Sequence, residues 1–282
     1  MNKGSIGIFD SGYGGLTVMK EITAILPQYD YIYLGDNART PYGNHSKETV
    51  TRFTDEAVQF LFKENARLII IACYTASALA LRDLQEKYLR NPSSLFRDRK
   101  ILGVIRSVAE EAAKLNKSGK IGVTGTRATI QSKSFETELL HQNPNLKITT
   151  QACPLLVPLI EEHWHKKPEA LMILKKYLRP LKNHNIDTLL LGCTHYPLMI
   201  TDFKRIMGKR VKVLDGGKVS AKSLADYLKR HPEIETQLST DGSRKFYTTD
   251  DAEKFCEFGK YFAGINMKPG NVIPTQLSRA AC

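Results

Sequence analysis

Two stretches of the chain share one pattern, and each ends in a cysteine. The apolar run Leu68–Ile71 is followed by a small residue and Cys73, and the run Thr188–Leu191 is followed by a glycine and Cys193. A short run of β-branched and leucine residues that ends in small polar residues is typical of a buried parallel strand. Because ligands bind at the carboxyl ends of such strands, the sequence predicts an α/β fold with a thiol at each of two strand ends.

Other landmarks repeat along the chain in the same order. The run around Gly7 resembles the run around Gly122, an offset of 115 residues, and the two cysteines are 120 residues apart. A strand predicted at 101–105 has a counterpart at 211–214. Repetition at a constant spacing indicates an internal duplication. We therefore predict a duplicated, doubly wound α/β unit.

Length and charge narrow the class of protein. The 282 residues carry a formal net charge of +12, and their apolar runs are short. No run could span a bilayer, and the first residues do not resemble a signal peptide, so we expect a cytoplasmic protein. A basic chain raises nucleic-acid binding as an option. The positive residues are spread through predicted helices and no nucleic-acid motif is present, so an anionic substrate is favoured.

The cysteine pattern argues against cross-links and metal. The five cysteines are an odd number and include no CxxC pair; they are Cys73, Cys153, Cys193, Cys256 and Cys282. Such spacing does not favour a disulfide framework or a zinc site. A free cysteine is most often a small buried hydrophobic residue, which suits Cys153 and Cys256. It suits Cys73 and Cys193 less well because polar residues follow them directly.

A glycine-rich turn follows the first predicted strand. The strand Ser5–Phe9 leads into Asp10–Gly15 and then into a helix, an order that resembles a phosphate cradle. The pattern GxGxxG is not met, the P-loop lysine is absent, and Asp10 would repel a phosphate. A nucleotide is therefore not favoured, and the N–H groups of this turn could equally hold a substrate carboxylate.

Several local expectations complete the reading of the chain. Helices beginning at Ala76 and Tyr196 would place their N-termini at the two thiols, where they would favour thiolates. The polar loop 35–44 is a candidate binding loop. Residues 267–282, which lack periodicity, are expected to form a loose tail.

Two opposed thiols suit the removal and return of an α-proton. One thiolate would act as the base on one face of the carbon, and the second thiol would act as the acid on the other. Asp10 and His195 are candidate proton partners, and hydroxyls such as Ser11, Thr75 and Thr194 could hold a carboxylate. Two alternatives stay open: Cys193 as a single nucleophile with His195 as its base, which leaves Cys73 unexplained, and purely structural thiols.

Six stretches together resemble one known family. They are IGIFDSGYGG, YLGDNARTPYG, IACYTASALA, GTRATIQS, CPLLVPLIEE and LGCTHYPL. In this order they are similar to the glutamate racemases of the aspartate/glutamate racemase superfamily. The resemblance implies cofactor-independent, two-base interconversion of L- and D-glutamate, which supplies D-glutamate for peptidoglycan. It also implies two similar, doubly wound α/β domains with the active site in the cleft between them. The C-terminal part would return to the first domain, giving domains of 1–101 with 216–282, and 102–215.

The resemblance also assigns roles to residues. Cys73 and Cys193 match the two bases, and Asp10, Glu161 and His195 match side chains that assist proton transfer. The substrate-binding set that it implies is Asp10, Ser11, Tyr42, Gly43, Tyr74, Thr75, Thr126, Thr129, Thr194 and His195. Family members are often dimers, so a homodimer is expected, and some are reported to inhibit DNA gyrase, which leaves a non-catalytic binding role as an alternative.

The chain departs from the family pattern at three places. Tyr74 stands where the family has asparagine, Arg106–Ser107 stands for Glu-Pro, and Gly216 stands for serine. The asparagine amide normally helps to hold the substrate's amino-acid head, whereas a tyrosine is larger and offers only a hydroxyl. A racemase with an altered amino-acid substrate or weak activity is therefore a further alternative.

Overall fold

The computed structural model describes residues 3–277, in which strands and helices alternate along most of the chain. The strands are β1 (Ser5–Asp10), β2 (Tyr31–Gly35), β3 (Ala66–Ile71), β4 (Lys100–Gly103), β5 (Lys120–Gly125), β6 (Lys147–Ala152), β7 (Thr188–Gly192), β8 (Lys212–Leu214), β9 (Arg244–Thr248) and β10 (Val272–Pro274). The helices are α1 (Leu16–Ile25), α2 (Lys47–Lys63), α3 (Tyr74–Leu79), α4 (Leu81–Gln85), α5 (Ile105–Leu115), α6 (Arg127–Gln131), α7 (Ser134–Gln142), α8 (Leu156–Glu161), α9 (Pro168–Asn183), α10 (Ile200–Met207), α11 (Gly216–Arg230), α12 (Pro232–Glu235) and α13 (Ala252–Ala263).

The strands form two parallel sheets with the same internal order. The first sheet runs β10-β9-β2-β1-β3-β4 and the second runs β6-β5-β7-β8. Each strand of β1 to β4 therefore has a counterpart four strands later in the chain, and every strand pair is parallel. This repeat confirms the predicted fold class, two similar α/β units. The strand that precedes a cysteine pairs with the first strand of its own unit in both sheets: β3 with β1, and β7 with β5.

The long helices pack through one apolar face. In α2 the residues Val50, Ala57 and Leu61 are fully buried, and Ser46 caps the helix by accepting the Thr49 N–H. In α9 the buried residues recur at helical spacing, as at Leu174, Leu178 and Leu181. This is the three-to-four residue period of a helix that covers a sheet. In the part of the chain that the structure describes, no helix has the length and apolar character needed to cross a membrane.

Some local expectations were wrong. The expected loose tail includes β10, which pairs with β9 through Val272 and Phe246; residues 278–282, with Cys282, lie outside the described residues. Strand β6 was not predicted, because most of its residues are half-buried and polar and give no apolar run. The predicted strand at 101–105 is shorter, since Ile105 already begins α5.

The two helix starts at the thiols also differ from the expectation. Helix α3 begins at Tyr74, so Cys73 is its N-cap residue, and its sulfur accepts the Ala76 N–H at 3.4 Å. At the second thiol, Tyr196 opens only a 3-10 turn, and the α-helix begins at Ile200. Pro197 in that turn has no N–H to contribute. A helix N-terminus therefore faces one of the two thiols directly.

Candidate active site

The two matched strand ends bring Cys73 and Cys193 to one pocket. Cys73 follows β3 and Cys193 follows β7, and both thiols are among the residues that line it. Their exposed fractions are 5% and 6%. The two thiols therefore come from different sheets and meet where the carboxyl ends of both sheets face each other, which is where parallel sheets bind ligands.

Cys73 lies beside a hydroxyl and a buried carboxyl group. Its sulfur is 3.3 Å from the Ser11 hydroxyl oxygen. Burial, and then the negative charge of Asp10, raise the pKa of the Cys73 thiol to about 12, although the hydrogen bonds from Ser11 and Ala76 act in the opposite direction. In this conformation Cys73 therefore carries its proton at neutral pH and is set up as a proton donor.

Cys193 lies beside an imidazole that is itself held by a carboxylate. The Cys193 sulfur is 3.9 Å from Nδ1 of His195, and Nε2 of His195 is 2.8 Å from Oε1 of Glu161. Burial lowers the pKa of His195, but its hydrogen bonds and charge interactions with Cys193 and Glu161 prevail and raise that pKa to about 10. His195 is therefore an imidazolium at neutral pH, the kind of neighbour that a thiolate base requires.

Asp10 links the two sides of the pocket. It is fully buried at the end of β1, and it accepts the Gly12 N–H at 3.0 Å and the Thr194 hydroxyl at 3.4 Å. Burial raises its pKa, whereas the charge of His195 and the N–H groups of Gly15 and Gly12 oppose that rise. The turn amides that resembled a phosphate cradle are thus taken by a side chain of the protein itself.

The segment after β1 touches the segment after β7 closely. The Thr17 hydroxyl donates to the Thr194 carbonyl oxygen at 3.0 Å. A Cβ at Gly14 would lie 2.3 Å from the Thr194 hydroxyl oxygen and 2.5 Å from Nδ1 of His195. Glycine is therefore needed at position 14 so that the first half can approach Thr194 and His195.

Three threonine hydroxyls form a hydrogen-bonded triangle at the edge of the pocket. The hydroxyl oxygen of Thr75 is 3.0 Å from that of Thr126 and 3.1 Å from that of Thr129, and the last two are 2.9 Å apart. Thr75 belongs to the first half and the other two to the second. Hydroxyls can each donate and accept, so this group can reorient its hydrogen bonds toward a ligand carboxylate.

Tyr42 and Gly43 form another part of the wall. The Tyr42 ring is buried and its hydroxyl donates to Asp36, which also holds Arg39 at 2.7 Å. Because this hydroxyl is already used, Tyr42 offers the pocket its backbone and ring. Gly43 lies against the Thr126 side chain.

Tyr74 also contributes to the lining, but its ring leaves the pocket. The ring stacks on Phe135, with 5.9 Å between the centroids and 23° between the planes. Its hydroxyl lies against Gly216, far along the chain. The large side chain that replaces the family asparagine thus fills a slot behind the pocket.

Most of the predicted residues line the pocket, and a few stand behind it. The lining residues are Ser11, Thr40, Pro41, Tyr42, Gly43, Cys73, Tyr74, Thr75, Thr126, Val157, Cys193, Thr194 and His195. Asp10, Glu161 and Thr129 are not in the lining, but each bonds to a residue that is, Thr194, His195 and Thr126 respectively. Thr40, Pro41 and Val157 were not predicted individually. The polar loop 35–44 was a usable signal for the first two, whereas nothing local distinguishes Val157 from a core valine.

The pocket is narrow. Its free volume is about 20 Å³, which is room for about one water molecule. An amino acid is larger than this space, so its binding requires the lining residues to rearrange. In residues 3–277 no group of three or more histidine, cysteine or acidic side chains is placed to hold a metal ion.

Comparison with known proteins places this site in a family. The sequence family described as Asp/Glu/Hydantoin racemase matches residues 6–224. The chain belongs to this racemase family. It is 42% identical over 260 residues to a glutamate racemase of Geobacter metallireducens, covering 92% of this chain and 93% of that protein. It is 39% identical over 273 residues to a glutamate racemase of Enterococcus faecalis, covering 95% of each.

Solved racemase structures agree with the fold. A glutamate racemase isoform from Bacillus anthracis superposes with a TM-score of 0.87 at 35% identity, covering 98% of this chain and 99% of that one. The glutamate racemase from Francisella tularensis, solved in complex with D-glutamate, gives 0.87 at 32% identity, covering 99% of this chain and 100% of that one. The two similar α/β units described above are therefore the architecture of this family, and the chain is a racemase-family enzyme.

Proposed function

We propose that the protein interconverts L- and D-glutamate without a cofactor, with Cys73 and Cys193 as the two bases. The observation that carries the proposal is that two thiols from equivalent strand ends line one pocket, each with its own proton partner. The relatives named above are glutamate racemases, and the Francisella protein is solved with D-glutamate. These names support glutamate as the substrate of this chain.

The reaction is a proton exchange at one carbon. One cysteine, as thiolate, takes the α-proton from one face and becomes a thiol. The other, as thiol, gives its proton to the opposite face and becomes a thiolate. No bond other than C–H and S–H changes, so the reaction is balanced without an oxidant or a co-reactant. The protons are then redistributed before the next turnover.

The two sides of the pocket are unequal at rest. Cys73 carries its proton because burial and Asp10 raise its pKa to about 12, whereas the imidazolium of His195 faces Cys193. We assign proton donation in one direction to Cys73, and proton removal to Cys193 beside the His195 imidazolium. The reverse direction requires a prior proton shift between the two sides, in which Asp10 and His195 take part.

Charge that develops on the substrate carboxylate needs hydrogen-bond donors. Ser11, Thr75, Thr126 and Thr194 bring hydroxyls to the lining or directly to the acid groups. Pre-oriented donors in a pocket that excludes water stabilise such charge far better than water does. The net charge of +12 also favours a substrate of net negative charge such as glutamate, which carries two carboxylates and one ammonium group.

The position of Tyr74 bears on the alternative of an altered substrate. Its ring stacks on Phe135, and its hydroxyl end lies against Gly216, so the side chain extends away from Cys73 into the second half. This supports retention of an ordinary amino-acid substrate, with the threonine hydroxyls replacing the missing amide. An altered substrate or weak turnover is the competing proposal.

The wider role follows from the same proposal. D-glutamate formed in the cytoplasm would supply peptidoglycan synthesis. The domain limits 1–101 with 216–282, and 102–215, belong to the proposal, as does a homodimer. A non-catalytic binding role such as inhibition of DNA gyrase is an alternative to it. Size-exclusion chromatography with light scattering tests the homodimer, and a supercoiling assay tests gyrase inhibition.

Circular dichroism tests the central proposal. Purified protein is incubated separately with L- and D-glutamate, and with both enantiomers of aspartate and alanine. We expect the signals of the two glutamate solutions to converge on zero and those of the other amino acids to stay constant. A static glutamate signal with a decaying signal for another amino acid would establish the altered-substrate alternative instead.

A further inference from the structure

The side chain of Tyr74 crosses from one half of the molecule into the other. Tyr74 opens α3, which follows β3 of the first sheet, but its ring stacks on Phe135 of α7 in the second half. Its hydroxyl end reaches Gly216, the first residue of α11. The neighbours Cys73 and Ala76 pack in a different apolar cluster, in the first half. One residue thus joins α3, α7 and α11.

Gly216 leaves the space that the Tyr74 hydroxyl occupies. A Cβ at position 216 would lie 1.8 Å from the Tyr74 hydroxyl oxygen and 3.1 Å from the ring carbon Cζ, with Val108 next at 3.5 Å. Non-bonded carbon and oxygen atoms do not approach to 1.8 Å, so any larger residue would displace the ring. The reason for glycine is this contact, since position 216 is not among the glycines with positive φ.

The hydroxyl itself makes no hydrogen bond. The Tyr74 residue is 3% exposed, and its oxygen has no hydrogen-bond partner within residues 3–277. A buried hydroxyl without a partner is unfavourable compared with the equivalent phenylalanine. The hydroxyl therefore does not act as a donor in this contact. Its effect is to extend the side chain of Tyr74 as far as Gly216.

We propose that Tyr74 and Gly216 form a spacer and its slot, which set the position of Cys73 relative to the second half. This rests on the proposed function, because it makes Tyr74 a positioning residue for one of the two bases. Cys73 immediately precedes Tyr74, and its sulfur caps the same helix by accepting the Ala76 N–H. The Ser77 hydroxyl ties this helix turn to Ile71 at 2.7 Å. A displaced ring therefore shifts the thiol.

A double-mutant cycle tests the pair. Gly216→Ala, Tyr74→Phe and the double variant are compared with wild type, and Gly217→Ala is the matched control. An alanine at 217 meets its nearest neighbours at 3.4 Å, an ordinary contact, in the same helix turn. We expect G216A to lower kcat by about tenfold and the melting temperature by about 5 °C in the wild-type background, but to have less than a twofold effect on kcat in the Y74F background.

The rescue follows from which atom is removed. Tyr74→Phe deletes the oxygen at 1.8 Å and leaves Cζ at 3.1 Å from the new Cβ. That contact is relieved by a shift of a few tenths of an ångström. G217A is expected to match wild type in both measurements.

A measurement independent of turnover is the rate at which iodoacetamide alkylates each cysteine, which is monitored by mass spectrometry. G216A should change the labelling rate of Cys73 by about fivefold and that of Cys193 by less than twofold, and Y74F/G216A should return Cys73 to the rate of Y74F. Equal effects of G216A in both backgrounds, or equal changes at both cysteines, would overturn the proposal. If wild-type protein does not racemise glutamate but the variants show the expected labelling rates, the proposed function is refuted and the spacer proposal stands.

Discussion

Nε2 of His195 lies 2.8 Å from Oε1 of Glu161, and the opposite ring nitrogen faces the Cys193 sulfur at 3.9 Å. The Glu161 carboxylate thereby orients the imidazole and stabilises its protonated form, while Nδ1 remains directed at the Cys193 thiol. Glu161 ends α8 and His195 follows β7, and the pair forms because α8 packs against the turn Tyr196–Met199 that follows β7.

The first prediction concerns Glu161→Gln. His195 is charged below its pKa of about 10, so activity that needs the imidazolium falls as the pH rises through about 10. Removal of the Glu161 charge lowers that pKa, and the alkaline limb of kcat/KM should move down by at least about one pH unit. The profile is measured between about pH 7 and 11. Glu162→Gln, which alters an adjacent exposed carboxylate, is the control, and an identical shift in both variants would contradict the assignment.

The pH dependence of protein stability should also depend on the charge of His195. Because the folded pKa of His195 is raised from 6.5 to about 10, its contribution is full below about 6.5, declines as the pH rises and is lost above about 10. Thermal unfolding of His195→Gln across this window should therefore show a flatter pH dependence than wild type. Parallel curves for the two proteins would mean that His195 is not charged in the folded state.

The second prediction separates the two thiols. Cys73→Ser and Cys193→Ser should each lower racemisation by at least about a thousandfold, since a hydroxyl is a far weaker acid than a thiol. Each variant keeps one base and should still eliminate chloride from one enantiomer of 3-chloroglutamate, which needs proton removal on one face only. Chloride release and optical rotation are measured together. Cys256→Ser, outside the pocket, is the control, and wild-type racemisation by either active-site variant would refute the two-base proposal.

The third prediction concerns the threonine triangle. Thr126 lines the pocket, whereas Thr129 is outside the lining and its hydroxyl bonds to that of Thr126. Thr126→Val should therefore raise KM by about tenfold and Thr129→Val by less than threefold. Thr126 also caps α6 by accepting the Thr129 N–H at 3.2 Å, so melting temperatures are measured alongside the kinetics. Thr126→Ser keeps the hydroxyl and should restore KM; an unchanged KM in all three variants would remove the triangle from substrate binding.

The fourth prediction concerns Gly14. Gly14→Ala would place a carbon 2.3 Å from the Thr194 hydroxyl and 2.5 Å from Nδ1 of His195, and a displacement of reacting groups by about 1 Å can cost about a hundredfold in rate. We expect that loss in kcat with the secondary structure retained, as judged by far-ultraviolet circular dichroism. Gly270→Ala, where an added Cβ meets nothing within 4 Å, should match wild type. A fully active G14A would show that the segment after β1 does not approach Thr194 and His195 as closely as described.

Features that depend on short runs of residues were predictable. The apolar runs before Cys73 and Cys193 and the strand before Asp10 are local signals, and the repeat placed their ends at one site. Strand β6 was missed because half-buried polar residues such as Thr149 and Gln151 carry little apolar signal. The strand β10 was missed because it is only three residues long and depends on pairing with β9.

The sequence by itself determined that two strands of a duplicated unit each end at a cysteine, because apolar strand runs, and their repetition in the same order, are visible along the chain. Tertiary structure alone decided which way Tyr74 points, because the space for its hydroxyl is made by Gly216 and Phe135. It also decided that Cys73 is protonated beside Asp10 while His195 is charged beside Cys193. Burial and charge pairing set these states, and both arise only when segments distant in the chain are packed together.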